Sequence, residues 1–240
     1  MAILVVAHQK GGVGKTTLSF NLTGFFAGFI PTKAVDLDSN KMYTALNTLR
    51  TMIYKPGENE YVPFDMIDIS KLTDEEFIEL LREYSGTSDR LLLVDLGGYD
   101  SEFNSQVLAM ADFILVPVGN KMVETIGLEK YTVVLDRIRE NRRNAGFDDK
   151  PLPCFAVMNR IHPNIKNFKD TYIGQFLESS PHYQVLKSVI KDRQSFDKTL
   201  SEGGKTVLEG SDYESRKEIA LLGDEISTIL EKLLEGNEEL

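Results

Sequence analysis

The sequence lacks tryptophan, contains a single cysteine and holds only three histidines among its 240 residues. One cysteine cannot form a disulfide within the chain, which is typical of a reducing compartment. Cys154 lies in the apolar run CFAVM, where we expect a buried small side chain rather than a reactive thiol. His8, His162 and His182 have neither metal-ligand spacing nor a matching acid or cysteine cluster. We therefore expect no zinc site.

Long hydrophobic runs are also absent, since none approaches the ~20 residues that a membrane-spanning helix needs. The apolar segment 2–7 is short and lacks a basic leader and a small-residue cleavage site, so we interpret it as a strand. These absences predict a soluble, cytoplasmic protein. We find no internal repeat and no obvious boundary, and we expect one domain spanning residues 1–240.

Positive charge is outweighed by negative charge: the chain has 27 lysine and arginine residues against 37 aspartate and glutamate residues, so the formal net charge at pH 7 is -10. This value argues against a surface that attracts nucleic acid throughout. The charges are unevenly distributed: residues 209–240 hold ten acids and three bases, whereas residues 119–169 hold ten bases and six acids. A local basic face is therefore compatible with the acidic total.

Apolar runs alternate with helical patterns along the chain. The strand-like runs occupy 2–7, 33–38, 90–96, 112–118 and 152–158. They are apolar throughout, which is typical of parallel strands covered by helices on both faces. Helices are predicted at 16–28, 73–84, 124–143 and 211–235, and turn-rich connections at 54–63 and 145–153. Capping boxes, Thr73 with Glu76 and Ser211 with Glu214, start two of the helices. The pattern predicts a three-layer α/β fold with a mostly parallel sheet.

A glycine-rich loop, KGGVGKTT at residues 10–17, follows the first predicted strand. Its glycines let the backbone turn tightly and direct N–H groups inward, while the helix that follows adds its positive end. Lys15 would reach the terminal phosphates, and the Thr16 hydroxyl would ligate Mg²⁺. The spacing has a chance probability on the order of 10⁻⁴ or less. We expect the nucleotide phosphates to bind Gly11, Gly12, Val13, Gly14, Lys15, Thr16 and Thr17.

Three aspartates are candidates for the metal and for the attacking water. Asp95 ends the run LLLVD and precedes two glycines, which is typical of a Walker B aspartate beside Thr16. Asp36 and Asp38 would point the same way if their strand continues through both. One of the two can then support the metal shell while the other orients water. The alternative for Asp95 is an acid that merely ends a strand. The alternative for Asp36 and Asp38 is a surface turn.

Together these motifs resemble the ParA/MinD group of deviant Walker-type P-loop ATPases. The pattern K-G-G-x-G-K-[ST] occupies residues 10–16, the switch I pattern D-x-D residues 36–38, and Asp95 stands as the Walker B aspartate. The resemblance implies a P-loop NTPase fold, ATP or ADP with Mg²⁺ as cofactors, and an ATP-sandwich homodimer. Gln9, where the general P-loop pattern has glycine, favours the partition branch.

The resemblance also implies roles for individual residues. The catalytic set becomes Lys10, Lys15 and Asp38, in which Lys10 touches the phosphates held by the partner subunit and Asp38 orients the attacking water. Thr16, Asp36 and Asp95 become the metal residues, and Asn159 with Arg160 lies near the adenine. Ser39 and Asn40 follow the D-x-D where family members often have Pro-Gln. This departure leaves the shape of switch I and the hydrolysis rate open.

Related subgroups differ from this sequence in ways that exclude them. The acidic C-terminal segment is unlike a membrane-targeting basic helix, so we expect no membrane partner. Cys154 alone cannot supply the paired cysteines of an iron–sulfur relative. The nucleotide loop begins at residue 9, without a preceding helix-turn-helix, as in the small single-domain partition type.

Such proteins position plasmid or chromosomal DNA, bind non-specific DNA as ATP dimers, and are stimulated by a centromere-binding ParB-type adaptor. The candidate DNA contacts are Arg139, Arg142, Arg143, Lys191 and Arg193. A solvated face with local salt bridges is an equal alternative for all of them. Two other functions stay open: a ParA-like ATPase that positions a protein cargo through adaptors and, more distantly, a small-molecule kinase. DNA binding would make the protein nucleoid-associated.

Overall fold

The computed structural model describes residues 2–57, 61–98, 101–144, 152–165 and 171–235, and for positions 122–124 and 144 it describes the backbone alone. Seven strands form one sheet: β1 Ala2–Val6, β2 Thr32–Asp36, β3 Asp65–Met66, β4 Leu91–Asp95, β5 Phe113–Val118, β6 Cys154–Ile161 and β7 Gln184–Lys191. Their spatial order is β3-β2-β4-β1-β5-β6-β7. Each pair of neighbours runs parallel. The predicted P-loop NTPase fold is confirmed.

Helices cover both faces of this sheet. They are α1 Lys15–Phe26, α2 Met42–Ile53, α3 Asp74–Tyr84, α4 Glu102–Ala109, α5 Met122–Asn144, α6 Tyr172–Ser179, α7 Gln194–Ser201 and α8 Tyr213–Leu234. In β1, Ile3 and Val5 pack with α3 to α6, whereas Leu4 and Val6 pack with α1, α7 and α8. Both faces of the central strands are buried, which explains why their sequences are apolar throughout. Among the described residues, no helix has the length and hydropathy needed to cross a bilayer.

Several elements were not expected from the sequence: β3, β7, α2, α4, α6 and α7. β7 is an edge strand whose exposed and buried positions interleave, so no apolar run marks it. The buried face of α2 includes the polar Asn47 and Arg50, which weakens the helical pattern of its apolar residues. These elements depend on contacts with distant parts of the chain, and local hydrophobicity does not predict them.

Strand ends also differ from the prediction in ways that affect the site. β2 ends at Asp36, so Asp38 lies in the loop that follows, and the expectation that both carboxylates project from one strand is wrong. β6 extends to Ile161, so Asn159 and Arg160 lie within the strand rather than after it. The pairing of β6 with β7 is irregular between Met158 and Ile161. The side chains of Asn159 and Arg160 therefore project from an irregular part of the strand, where Arg160 has a left-handed φ of 56°.

Of the two predicted capping boxes, one is confirmed and one is wrong. Thr73 and Glu76 bond reciprocally at the start of α3. At α8 the N-cap is Asp212 rather than Ser211, and its side chain accepts the N–H of Glu214 at 3.2 Å. Of the predicted connections, 54–57, 61–63 and 152–153 contain no helix or strand; the remaining positions lie outside the described residues. Cys154 is buried, as expected.

Candidate functional site

The carboxyl ends of β1, β2 and β4 meet at one edge of the sheet. Asp95 is the register partner of Val6 on one side and of Asp36 on the other. The loop of residues 9–14 leaves β1 at this edge and leads into α1. Ligands of open parallel sheets bind at such edges, where strand ends and helix starts converge. This edge is therefore the candidate functional site.

The backbone of the glycine loop is shaped for an anion. Gly12 and Gly14 have φ of 77° and 92°, a left-handed conformation that L side chains rarely adopt. Gly14 precedes α1 without a side-chain cap, so the first N–H groups of the helix are available to a ligand. A Cβ at Gly14 would lie 2.5 Å from Asn159 Nδ2, whereas none of the surrounding atoms comes within 4 Å of a Cβ at Gly11 or Gly12. The loop is thus open toward a ligand and closed toward β6.

Lys15, the first residue of α1, turns back over the loop. Its side chain is buried, and its Nζ donates to the carbonyl oxygen of Lys10 at 3.3 Å. Burial lowers the pKa of Lys15, while the charges of Asp95 and Asp38 oppose that shift. The two lysines of the loop are therefore brought together, through the side chain of one and the backbone of the other.

Asp95 lies beneath the loop and is 0% exposed. It accepts hydrogen bonds from Thr16 Oγ1 at 2.7 Å and from Ser19 Oγ at 2.9 Å. Burial raises the pKa of Asp95 to about 7, Asp36 adds to the shift, and the two hydroxyls and Lys15 oppose it. Ser19 was not predicted from the sequence, although its position three residues after Thr16 on one helix face could have revealed it.

A buried carboxylate with a raised pKa favours a compensating cation. The oxygen donors of Thr16 and Asp95 are of the kind that Mg²⁺ prefers. The predicted pairing of these two residues is present in the structure, and the donor set fits the metal.

Asp36 ends the strand beside that of Asp95, but its carboxylate accepts hydrogen bonds from the following loop and from α2 rather than from α1. Its Oδ2 accepts the N–H and the hydroxyl of Thr44 in the first turn of α2, at 2.9 and 2.8 Å. Its Oδ1 accepts the N–H of Asp38 at 3.1 Å. The side chain is 3% exposed. Asp36 is therefore a cap for α2 and for the switch I loop, a role that the sequence did not reveal.

The switch I loop itself, residues 37–41, is held by contacts within the loop. Asp38 is half-buried, and its Oδ1 accepts the N–H of Asn40 at 2.9 Å. Lys41 precedes α2 with φ of 49°, and its Nζ donates to the carbonyl oxygen of Asp36 at 2.7 Å. The left-handed conformation of a lysine is uncommon and costs free energy. Asp38 lies near enough to Lys15 to influence its pKa.

A cleft runs from the start of α1 to the ends of β6 and β7. Asn159 Nδ2 donates to the carbonyl oxygen of Val13 at 2.7 Å, and Arg160 Nη1 donates to that of Gly12 at 3.2 Å. Both predicted adenine residues therefore support the glycine loop while they line the cleft. The cleft is further lined by Thr17, Leu18, Ile190, Lys191, Asp192, Arg193, Phe196 and Asp197. Phe196, which was not predicted from the sequence, has a buried ring that offers an apolar wall for a base.

The five basic residues considered for DNA lie in different environments. Arg193 bonds to Glu218 at 2.8 and 3.0 Å, and Lys191 Nζ donates to the carbonyl oxygen of Ile165 at 2.8 Å. Arg142 Nη1 donates to the carbonyl oxygen of Ala109 at 2.9 Å.

The remaining two, Arg139 and Arg143, are exposed near the end of α5. The geometry thus divides the predicted set. Lys191 and Arg193 line the cleft described above, whereas Arg139 and Arg143 lie on the surface of α5.

The sequence is similar to a known protein family and to a curated protein. The family model described as the CobQ/CobB/MinD/ParA nucleotide binding domain matches residues 4–207. Protein ParA of Rhizobium radiobacter is 24% identical over 206 residues, which cover 85% of this chain and 84% of that protein.

Two solved structures are similar in fold. The MinD cell division protein of Aquifex aeolicus superposes with a TM-score of 0.68 at 16% identity, covering 95% of this chain and 97% of that one. A candidate plasmid partition protein of Borrelia burgdorferi bound to AMPPNP gives a TM-score of 0.61 at 16% identity, covering 93% and 98%. At these identities the likeness to the two structures extends to the fold alone.

Proposed function

The chain belongs to the CobQ/CobB/MinD/ParA nucleotide-binding family, and from this premise we propose that it is an Mg²⁺-dependent ATPase that dimerises with ATP and positions DNA. The observation that carries the proposal is the pair of lysines in one glycine loop, with Lys15 Nζ on the carbonyl oxygen of Lys10. We assign Lys15 to the phosphates of its own subunit and Lys10 to those of the partner subunit. The AMPPNP bound to the Borrelia neighbour supports ATP as the nucleotide.

Phosphate binding is the first part of this function. The N–H groups of the loop and the positive end of α1 attract the phosphate oxygens, and the Lys15 ammonium neutralises the terminal ones. The partly desolvated site strengthens these charge interactions, because little water competes for the lysine. Asn159 and Arg160 hold the loop from behind and border the cleft in which we place the adenine.

Metal binding is assigned to Thr16 and Asp95. Bound Mg²⁺ supplies neutralisation of the developing charge on the phosphate oxygens. Asp95 would offer its buried carboxylate to the cation, and Thr16 would offer its hydroxyl oxygen. Asp36 supports this side of the site indirectly, because it anchors α2 and the switch I loop.

Hydrolysis and dimerisation are assigned to Asp38 and Lys10. Asp38 lies in the loop beside the phosphate site, where its carboxylate can accept a hydrogen bond from the attacking water. Lys10 reaches the phosphates of the second subunit and stabilises the charge that develops during transfer. Since Lys10 acts only when two subunits meet, ATP binding and dimerisation become coupled. Hydrolysis then ends the dimeric state.

The experiment that tests this function is sedimentation of the full chain with ATP and Mg²⁺. We expect a dimer for the wild type, loss of nucleotide binding for Lys15→Ala, and nucleotide binding without dimerisation for Lys10→Ala. Asp38→Ala should accumulate as an ATP-bound dimer that hydrolyses slowly. If Lys10→Ala dimerises as the wild type does, the role of Lys10 across the dimer is wrong.

The DNA part of the proposal depends on the exposed arginines of α5. Arg139 and Arg143 can neutralise phosphates of any duplex, and such binding weakens steeply with salt. We expect ATP-dependent retention of arbitrary duplex DNA at low salt, reduced in the double variant Arg139→Ala/Arg143→Ala. Arg82→Ala is the matched control, because Arg82 is an exposed arginine on α3 that pairs with Glu79. A ParB-type adaptor bound to a centromere-like site would stimulate hydrolysis.

A second candidate function is the positioning of a protein cargo through adaptor contacts. The net charge of -10 and the engagement of Arg193 with Glu218 favour it, because both reduce the attraction for DNA. The same nucleotide site serves this function. An ATP-dependent dimer that is not retained on DNA at low salt would support cargo positioning and contradict DNA partition.

A further inference from the structure

His8 lies at the base of the nucleotide loop, two residues after the end of β1 and two before Lys10. The side chain is 1% exposed. Its Nδ1 accepts the backbone N–H of Lys10 at 2.8 Å. The imidazole therefore contacts the backbone of the same lysine to which we assign the role across the dimer.

This hydrogen bond requires one tautomer of the ring. A neutral imidazole that accepts at Nδ1 carries its proton at Nε2. Burial, followed by the charges of Lys15 and Lys10, lowers the pKa of His8 from 6.5 to about 4, so the ring is neutral near pH 7. Among the described residues, Nε2 has no hydrogen-bond partner. The ring thus has one polar atom engaged and one buried atom without a protein partner.

Tyr131 of α5 lies beside this ring, and it too has a buried polar atom without a partner among the described residues. The two rings are nearly parallel, with centroids 6.4 Å apart and an angle of 20° between their planes. The Tyr131 side chain is 4% exposed, and its Oη also has no partner in the described part of the chain. His8 and Tyr131 both line a cavity of about 20 Å³. A cavity of this size with two or more polar atoms can hold one water molecule.

Two glycines bring neighbouring segments against His8. A Cβ at Gly98, in the loop after β4, would lie 2.6 Å from the carbonyl oxygen of Gln9. A Cβ at Gly127, in the first turns of α5, would lie 3.5 Å from His8 Cε1 and 4.0 Å from Lys10 Cβ. The loop that follows Asp95 and the start of α5 therefore pack directly on this part of the nucleotide loop.

We propose that His8 is a positioning residue for Lys10: its Nδ1 fixes the first turn of the nucleotide loop, and a water molecule between Nε2–H and Tyr131 Oη holds the ring in the required tautomer. In this role His8 acts through Lys10 and does not touch the nucleotide. The proposal rests on the dimer-switched ATPase described above, because it concerns the lysine that couples two subunits.

The first test is NMR of the nucleotide-free full chain with ¹⁵N-labelled histidine. Only three histidines are present, so His8→Asn assigns the His8 resonances by their loss. We expect an unprotonated Nδ1 that accepts a hydrogen bond, a protonated Nε2, and no titration between pH 5 and 8. A proton on Nδ1, or a ring that titrates near pH 6.5, overturns the proposal.

The second test compares two variants in the sedimentation assay with ATP and Mg²⁺. His8→Phe keeps an aromatic ring against Tyr131 but removes the acceptor, whereas His8→Asn offers an oxygen to the Lys10 N–H. We expect ATP-driven dimerisation to weaken about tenfold in His8→Phe and to be largely recovered in His8→Asn. The nucleotide dissociation constant should change by a smaller factor than dimerisation in both variants. Dimerisation of His8→Phe at the wild-type level, or an equal loss in His8→Asn, contradicts the proposal.

Tyr131→Phe keeps the test decisive if His8→Phe does not fold. Removing Oη should shift the Nε2 resonance of His8 and weaken dimerisation by a smaller factor than His8→Phe. An unchanged Nε2 resonance shows that no water links the two side chains. If the wild type itself fails to dimerise with ATP, the proposed function is wrong, and the NMR result still decides the geometry of His8.

Discussion

Asp95 and Asp36 end neighbouring parallel strands as register partners, and both are buried, but they bind opposite sides of the site. Asp95 accepts two hydroxyls from α1, the helix that follows the nucleotide loop. Asp36 accepts two backbone N–H groups and one hydroxyl, all from the switch I loop or the start of α2. Equal position and equal burial therefore do not imply equal function.

The difference lies in what each carboxylate can still bind. Hydroxyl partners can reorient toward a cation, so Asp95 can exchange them for Mg²⁺ without breaking the fold. Backbone N–H groups are fixed donors, and a cation at Asp36 would compete with the cap of a helix. We infer that Asp95 serves the chemistry and that Asp36 sets the shape of switch I.

The largest expected effect is the loss of ATP hydrolysis when the charge of Asp95 is removed, compared with the same change at Asp36. Asp95→Asn keeps one oxygen that accepts from Thr16 or Ser19, and its NH2 group can donate to the other hydroxyl, but it removes the charge that compensates Mg²⁺. We expect kcat for ATP hydrolysis to fall at least about 100-fold, in the range of a lost electrostatic contact at a reacting phosphate. Phosphate release at saturating ATP and Mg²⁺ measures it.

Asp36→Asn is the matched control, because the same change is made one strand away. Its amide oxygen can still accept the N–H and the hydroxyl of Thr44, while the bond from the Asp38 N–H is lost, and we expect less than about tenfold loss of kcat. An equal loss in both variants would show that Asp36 also binds the metal directly, and the contrast between the two residues would then be wrong.

The two threonines that bond to these aspartates offer the next comparison. Thr16→Val removes the hydroxyl assigned to Mg²⁺ and its hydrogen bond to Asp95, and we expect hydrolysis to fall strongly, with about 1 kcal/mol of destabilisation. Thr44→Val removes one hydrogen bond from Asp36, and we expect about 1 kcal/mol of destabilisation with nucleotide binding retained. Urea unfolding and nucleotide titration of both variants test the pair. Loss of nucleotide binding in Thr44→Val would contradict the structural role of Asp36.

The pH dependence of stability isolates Asp95 in the nucleotide-free protein. Its pKa is raised from 3.8 to about 7, so folding favours the protonated acid, and that stabilisation is lost as the pH rises from about 4 through about 7. The asparagine of Asp95→Asn does not titrate, so its contribution to the free energy of unfolding does not change with pH. The difference in unfolding free energy, variant minus wild type, should therefore grow by about 1–4 kcal/mol between pH 5 and 8.

Urea unfolding at these two pH values measures the difference, and subtraction of the wild type cancels the titration of groups that do not interact with Asp95. Saturating Mg²⁺ and ADP should reduce the effect, because a bound cation favours the ionised carboxylate. A difference that stays constant with pH would mean that Asp95 is already ionised in the free protein.

The site was predictable from the sequence where its residues are adjacent, and less so where they meet through the fold. The glycine loop, Lys15 and the pairing of Thr16 with Asp95 follow from local spacing and from the parallel arrangement of strand ends. The capping of α2 by Asp36 does not, because α2 itself was missed: its buried face contains Asn47 and Arg50. Asn159 reaches Val13 across 146 residues, which only the order of the strands reveals.

The smallest expected effect concerns Lys41, the left-handed residue between switch I and α2. Both Lys41→Gly and Lys41→Ala lose the Nζ contact to the Asp36 carbonyl oxygen, so their difference reports the backbone alone. Left-handed conformation costs a residue with a Cβ about 1–2 kcal/mol, and glycine offsets part of its advantage through the entropy of the unfolded chain. We therefore expect Lys41→Gly to be more stable than Lys41→Ala by about 0.5–1 kcal/mol in urea unfolding. Equal stability would show that the loop relaxes when the lysine is removed, and that Lys41, rather than Asp36, holds switch I in this conformation.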